Sequence, residues 1–194
     1  MDLERSPERD AALDALLAVL PFPGWTFAAL CAAAGPDADL LFPGGPVDMA
    51  EAYSDLADRR MADGLPADGR LSARVRAVIA ARLAQSGPHK EAVRRAIAIV
   101  ATRPGAAAAT LARTADAIWH AAGDRSADFS WYTKRGILAG VYASTILYWL
   151  RDDGADDEET LAFLDRRLAG TGRIGRLRRR AEQLVSRGRP VPPS

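Results

Sequence analysis

The sequence predicts an all-α protein of about nine to ten helices. Apolar residues recur three or four positions apart through most of the 194 residues, which is the spacing of one helix face. No segment alternates apolar and polar residues as a half-buried strand does. Residues 127–150 hold six of the 13 aromatic side chains, and we expect them to form a central helix buried on more than one side. Their charge-free run, Gly136–Leu150, has 15 residues, fewer than the about 20 that a membrane-spanning helix needs.

Prolines and glycines divide the first part of the chain into short helices. A first helix carries a face of leucines and stops at Pro21. Thr26 is placed to cap a second helix, which ends at Gly35, and residues 37–42 form a short third helix. Pro46 suits the first turn of a fourth helix. The glycine turn between the second and third helices resembles the helix-turn-helix of TetR-type repressors, so the sequence predicts a TetR-like fold.

The pattern is more regular from residue 69 onward. The predicted helices contain, in chain order, Leu71–Leu83, Pro88–Val100, Leu111–Ala122, the central stretch, Leu161–Leu168 and Arg173–Arg187. One face of the central helix consists of small residues, namely Gly136, Gly140, Ala143 and Ser144, where another helix can approach closely. That helix belongs either to the same chain or to a second copy in a dimer.

Charge is distributed unevenly, although the net charge is only +1. Residues 10–58 contain eight acidic residues and no lysine or arginine, whereas residues 166–194 contain nine arginines and one acidic residue. A helix that reads DNA needs lysine and arginine to contact phosphates and base edges. We therefore expect the N-terminal helices to bind no specific nucleic acid, even within a TetR-like fold.

Residues that commonly carry catalysis or bind metals are few. His89 and His120 have no second metal ligand three or four positions away, and the chain lacks a phosphate-binding glycine loop and a nucleophile motif. The acidic run at 152–159 permits a metal site, but a solvated loop that caps the next helix is the simpler interpretation. We expect no enzyme activity, no metal and no cofactor.

Residues 117–168 carry a specific resemblance. The block contains Ile118-Trp119, Ala122-Gly123-Asp124, Asp128-Phe129, Trp131-Tyr132-Thr133-Lys134-Arg135, Val141-Tyr142 and Phe163-Leu164-Asp165-Arg166-Arg167. It resembles the ubiquinone-biosynthesis accessory family of the ninth coenzyme Q protein. The resemblance implies a non-enzymatic homodimer with a TetR-like fold, which holds an isoprenoid lipid or quinone intermediate. Such a protein presents this ligand at the membrane to the diiron quinone-ring hydroxylase of the pathway.

Three segments and two sites follow from this interpretation. We expect degenerate helix-turn-helix-like helices over 1–65, a helical lipid-binding and dimerisation domain over 66–169, and a basic amphipathic helix and tail over 170–194. The residues expected in the lipid pocket are Trp119, Leu138, Val141, Tyr142 and Ile146. The residues expected to bind the hydroxylase share one helix face and are Asp128, Trp131, Tyr132 and Arg135. An equally open interpretation is that Trp131 and Tyr132 pack in the protein core and do not bind a partner.

The last predicted helix has the composition of a helix that lies in a membrane interface. Its expected contacts with an anionic membrane surface are Ile174, Leu177, Leu184, Arg176, Arg179 and Arg180. Packing of this basic tail against the acidic N-terminal half and binding of nucleic acid by its arginines are the alternatives.

The sequence leaves two other functions open and predicts a location. A TetR-type transcriptional regulator with a hydrophobic effector pocket is one alternative, and a structural dimer that scaffolds other enzymes is another. The single cysteine, Cys31, fits a reducing compartment, and the first ten residues include neither an apolar nor a basic leader. We expect a bacterial-like cytoplasmic protein, peripherally associated with the inner membrane.

Overall fold

The fold is all-α in a computed structural model of the protein. The structure describes residues 5–61, 69–123, 131–154 and 156–170. Of residues 131 and 132 it describes only the backbone. The described helices with defined ends are α1 (Pro7–Leu17), α2 (Phe27–Ala34), α3 (Pro46–Arg60), α4 (Leu71–Ser86), α5 (Lys90–Ala101), α6 (Pro104–Ala121) and α7 (Trp131–Trp149). Residues 158–170, here α8, are helical as well. Short 3₁₀ segments cover Ala38–Leu41 and Gly87–His89. These residues contain no β-strand.

The all-α prediction is confirmed, but the described chain holds fewer helices than the nine to ten expected. The helix predicted over 37–42 is a single 3₁₀ segment, Ala38–Leu41, because Pro43 and Gly44 follow too closely for a full α-turn to continue. The predicted helix over 173–187 lies outside the described residues. The TetR-like arrangement and the three-segment division stay predictions.

Side-chain caps and prolines set the N-terminal helix boundaries as the sequence predicts. The Thr26 hydroxyl accepts a hydrogen bond from the Ala29 N–H at 3.2 Å, and Ser6 does the same for Arg9 at the start of α1. Pro46 occupies the first turn of α3. The chain leaves α2 at Gly35 with a φ of 113°, a left-handed conformation that favours glycine. Local chemistry therefore accounts for these boundaries.

Helix α3 lies at the centre of the described structure. It packs against α1, α4, α5 and α6, while α7 packs against α6 and α4. Its buried side chains include Met49, Tyr53 and Leu56. One hydrophobic core runs from Leu13 in α1 to Leu164 in α8, so the N-terminal helices and the later ones share it.

The prediction that the central aromatic helix is buried on more than one side is wrong for the described residues. Helix α7 buries one face, which includes Leu138, Val141 and Thr145. Ile137 and Leu147 are 41% and 52% exposed on other faces. No other described helix approaches within 4 Å of the position that a Cβ would take at Gly136 or Gly140. No described helix therefore packs against the two glycines of the small-residue face, and the homodimer stays a prediction.

Six of the eight acidic residues in 10–58 form ion pairs within the chain. Arginines from outside residues 10–58 form ion pairs with them: Arg59–Asp10, Arg60–Asp14, Arg9–Asp48, Arg113–Glu51, Arg5–Asp55 and Arg82–Asp58. Most of these pairs join separate helices. The acidic residues that make the sequence charge uneven therefore serve mainly in ion pairs between helices.

Candidate binding cavity

A cavity of about 210 Å³ lies among α3, α4, α5, α6 and α7. Its wall is mostly aliphatic, and the apolar lining residues are Ala50, Val93, Ala96, Ile97, Val100, Ala101, Ala107, Leu111, Ala143, Ile146 and Leu147. Several of these residues are alanines at positions where helices face one another. Alanine leaves space between packed helices that a larger side chain would fill.

The cavity reaches the protein surface. Leu147 in α7 and Ala101 at the end of α5 both line it and are both exposed. Leu147 is a large apolar side chain that is half-exposed at this opening. The apolar lining therefore continues to the surface beside Leu147.

One part of the cavity wall is polar and carries a buried ion pair. Arg82 of α4 donates from Nε to Oδ1 of Asp58 at 3.0 Å, and from Nη1 to the Ser86 hydroxyl at 2.9 Å. Thr114 of α6 donates to the other Asp58 oxygen at 2.7 Å. Only Arg82 and Thr114 of these residues line the cavity itself. The carboxylate thus stands behind the cavity wall and holds the guanidinium in place.

Burial shifts the proton affinities of this cluster. It raises the pKa of Asp58, although Arg82 and Thr114 oppose that effect. Burial acts to lower the pKa of Arg82, but Tyr142 and Asp58 outweigh it, and the pKa lies above its ordinary value. Burial also raises the pKa of Tyr142 to about 12. The guanidinium is therefore charged and the Tyr142 phenol protonated at neutral pH.

Two of the five residues expected in the pocket line this cavity, namely Tyr142 and Ile146. Leu138 and Val141 are buried in the core but lie outside the cavity wall. Trp119 is half-buried on α6, also outside the wall, and its indole N–H has no hydrogen-bond acceptor among the described residues. The assignment of a ligand to these residues stays a prediction.

Sequence reasoning missed Arg82, the most unusual residue of the wall. A signal was present, because Arg82 lies seven residues after Val75 and three after Ile79, within the apolar face of α4. A charged residue in an apolar stripe indicates a buried polar partner. Asp58, 24 positions earlier in the chain, is that partner.

The residues expected to bind the hydroxylase are only partly described. Asp128 lies outside the described residues, and the side chains of Trp131 and Tyr132 do so as well. Arg135 forms an ion pair with Asp116 of α6, which fixes the start of α7 to α6. Binding of a partner by this face stays a prediction.

The tail residues expected at a membrane, from Ile174 to Leu184, all lie outside the described part of the chain. Within that part, no helix combines the length and the apolar character that crossing a bilayer requires. Membrane contact by the tail stays a prediction.

The acidic loop before α8 forms local hydrogen bonds, as the capping interpretation predicts. Asp156 accepts from the Glu158 N–H at 3.4 Å, and Asp157 accepts from the Trp149 indole at 2.9 Å. Asp152 accepts from the Thr160 hydroxyl at 2.6 Å. No group of three potential metal ligands occurs among the residues described here.

Fold and cavity together define an all-helical protein with an apolar internal site and a buried polar cluster at its wall. Residues 105–175, which include α6, α7 and α8, match the COQ9 family model. This segment of the chain is therefore a COQ9-family domain.

Similar proteins agree with the family match. The chain is 44% identical over 73 residues to "Ubiquinone biosynthesis protein COQ9, mitochondrial" of Rattus norvegicus, and 41% identical over 73 residues to the Homo sapiens protein of that name. Each alignment covers 38% of this chain and 22% of the relative. The Schizosaccharomyces pombe coq9 protein is 32% identical over 145 residues, which is 71% of this chain and 57% of that protein. The alignments thus span about a fifth of the animal relatives.

The names of these relatives state where those proteins are located in the cell. All three are named as mitochondrial proteins. The expectation that this chain is bacterial-like stays a prediction.

Proposed function

We propose that this protein is a non-enzymatic accessory protein of ubiquinone biosynthesis. It holds an isoprenoid lipid or quinone intermediate and presents it to the diiron quinone-ring hydroxylase at an anionic membrane surface. The observation that carries the proposal is the apolar cavity, whose walls include α6 and α7. Both helices lie within the segment that matches the COQ9 family, and the relatives are named as ubiquinone biosynthesis proteins.

The size of the cavity limits how much ligand it encloses. Pockets that hold drug-sized ligands measure about 300–1,000 Å³, and this cavity measures about 210 Å³. It has room for a ring or a short isoprenoid segment, while a longer chain must extend past Leu147. A ligand that is only partly enclosed can be transferred to a partner at the surface.

Mass spectrometry of lipids extracted from the purified full-length protein tests the proposal. A polyprenyl or quinone species should copurify with the wild type. Ala107→Phe, on the cavity wall in α6, places a ring in the cavity and should remove most of that lipid. Ala112→Phe, at an exposed position of the same helix, is the matched control and should retain the lipid.

Two results would contradict lipid holding. One is a folded wild-type protein that carries no polyprenyl or quinone species after mild purification. The other is equal lipid in the Ala107→Phe and Ala112→Phe proteins, which would place the lipid elsewhere. Circular dichroism of both variants establishes that the comparison is between folded proteins.

A further inference from the structure

Arg135, one of the residues expected to bind the hydroxylase, lies on the core-facing side of α7. It precedes Leu138 by three positions and Tyr142 by seven, which is the spacing of one helix face. Leu138 and Tyr142 are 3% and 5% exposed. The Arg135 side chain itself is only 17% exposed. A side chain that is covered to this extent offers little area to a partner protein.

The charge of Arg135 is used within the chain. Its Nε donates to Oδ1 of Asp116 in α6, and Nη2 forms an ion pair with the same oxygen. Nδ1 of His120, one turn later in α6, lies 3.5 Å from the other Asp116 oxygen. Hydrogen bonds between a guanidinium and a carboxylate are strong and directional. The Asp116 carboxylate therefore ties α7 to α6 at this point.

The pair acts where α7 has little other support from its described side chains. Thr133, Gly136 and Ile137 are exposed, and Leu138 is the first described side chain of α7 that is fully buried. Helix ends open locally at little energetic cost. Arg135 lies between Leu138 and the first turn, which begins at Trp131. Its ion pair therefore limits the opening of the turn that contains Trp131 and Tyr132.

We propose that Asp116 is a positioning residue for partner binding. Through Arg135 it holds the first turn of α7 in the orientation that the quinone hydroxylase recognises. Arg135 contributes to binding by this ion pair and does not touch the hydroxylase. The inference rests on the proposed function and on hydroxylase binding by the start of α7. It adds a residue of a second helix to that site and changes the role of Arg135.

The exposure of the pair limits the size of the effect. Asp116 is 42% exposed, and ion pairs that water reaches contribute only modestly. Positioning cannot contribute more free energy than the pair itself supplies. We therefore expect loss of either side chain to weaken hydroxylase binding about two- to fivefold. Direct contact by Arg135 at a hot spot would instead account for about thirtyfold or more, and Asp116 would then have no effect.

A double-mutant cycle with the full-length protein tests this role. Surface plasmon resonance measures the affinity of the purified hydroxylase for wild type, Asp116→Ala, Arg135→Ala and the double variant, each corrected for its folded fraction. The two single variants should lose affinity equally. The double variant should lose no more than either, because both substitutions remove the same pair. Exchanging the two residues, Asp116→Arg with Arg135→Asp, should restore most of the affinity.

Asp165→Ala is the matched control, because Asp165 forms an ion pair of similar exposure that joins α8 to Arg76 of α4. It should leave the affinity per folded molecule unchanged. Amide hydrogen exchange of residues 135–138 reports on the first turn of α7, since these N–H groups bond to the carbonyls of residues 131–134. Exchange should be faster in Asp116→Ala and Arg135→Ala than in wild type. It should be normal in Asp165→Ala and in the exchanged variant.

The contrary outcomes separate this inference from the proposed function. Loss of affinity in Arg135→Ala but not in Asp116→Ala would overturn the positioning role, because Arg135 would then contact the hydroxylase itself. Unchanged affinity in both single variants, or additive losses in the double variant, would overturn it as well. All three results leave hydroxylase binding intact. Failure of the wild-type protein to bind the hydroxylase would overturn both the inference and the proposed presentation of a ligand to that enzyme.

Discussion

Asp58 and Arg82 form an ion pair with 3.0 Å between Oδ1 and Nε, and their side chains are only 7% and 5% exposed. Thr114 donates to the second Asp58 oxygen, so a single carboxylate joins α3, α4 and α6. The pair fixes three walls of the cavity. It also determines the charge that a ligand meets there.

Removing the acidic partner of this pair should destabilise the fold. Asp58→Asn leaves the Arg82 charge buried without a counterion, and we expect the free energy of unfolding to fall by about 3–5 kcal/mol. Urea denaturation at pH 7 measures this value. Asp165→Asn is the control, because its pair with Arg76 is exposed and should contribute less than about 1 kcal/mol. Equal losses in the two variants would show that burial of the first pair has no energetic consequence.

Asp55 should make stability depend on acidic pH. Burial acts to raise the pKa of Asp55, but hydrogen bonds from Arg5 and Arg59 outweigh it and hold the pKa below its usual value. A lowered folded-state pKa stabilises above the unfolded pKa of about 3.9, and this contribution is lost as pH falls through the folded value. We expect Asp55→Asn to reduce the free energy of unfolding by about 1–3 kcal/mol at pH 6. The difference from wild type should shrink below about pH 4.

Urea midpoints of both proteins at pH 6, 4 and 3 test this dependence. Asp39→Asn is the control, since Asp39 has no ion-pair partner among the described residues. That substitution should change stability by no more than about 0.5 kcal/mol at each pH. A constant difference between wild type and Asp55→Asn across the three pH values would be incompatible with the pairing described here.

Local sequence signals were sufficient for the all-α class and for most helix boundaries. Thr26, Gly35 and Pro46 act through their own backbone and first-turn chemistry, so their roles need no knowledge of distant residues. The prediction of a helix over 37–42 gave too long an element. Four residues between Asp37 and Phe42 form only a 3₁₀ segment, because the following Pro43 and Gly44 end it.

Features that depend on packing between distant segments were not predictable. The aromatic content of residues 127–150 indicated a central helix, but centrality depends on neighbours, and α3 has more of them than α7. The acidic character of residues 10–58 indicated repulsion, whereas most of these acids face arginines of other segments. The cavity arises where alanines from different helices meet, and no single helix encodes it.

The N-terminal helices should not bind a specific DNA duplex. The segment that the sequence predicted as a reading helix is the four-residue 3₁₀ element Ala38–Leu41, which carries Asp39 and no basic residue. Any binding should come from the arginines of residues 173–189 and should disappear at moderate salt. Electrophoretic mobility shifts at 50 and 200 mM salt provide the measurement. An operator footprint that survives deletion of residues 172–194 would refute the prediction.

The basic tail should anchor the protein to anionic membranes. Each arginine near an anionic leaflet contributes about 1 kcal/mol, and the apolar residues Ile174, Leu177 and Leu184 add burial in the interface. A chain that ends at Gly170 should remain folded but should no longer float with anionic liposomes. Replacing Arg176, Arg179 and Arg180 with glutamine tests the charge alone. If the truncated chain floats as well as the full one, another surface is the anchor.

The start of α7 should bind the quinone hydroxylase. Asp128, Trp131, Tyr132 and Arg135 are spaced as one helix face, and an aromatic pair flanked by charges is typical of an interface hot spot. We expect Trp131→Ala to weaken hydroxylase binding at least about thirtyfold, which corresponds to about 2 kcal/mol. The melting temperature should fall only slightly, and bound lipid should be retained.

Trp149→Ala is the matched control for this last prediction, because Trp149 lies on the same helix and is 1% exposed. Emptying its buried site should cost about 3–5 kcal/mol of folding stability, while the affinity per folded molecule stays unchanged. The two tryptophans thus separate a surface role from a core role by melting temperature and partner affinity measured together. If Trp131→Ala behaves like Trp149→Ala in both measurements, Trp131 is a core residue and the hydroxylase binds elsewhere.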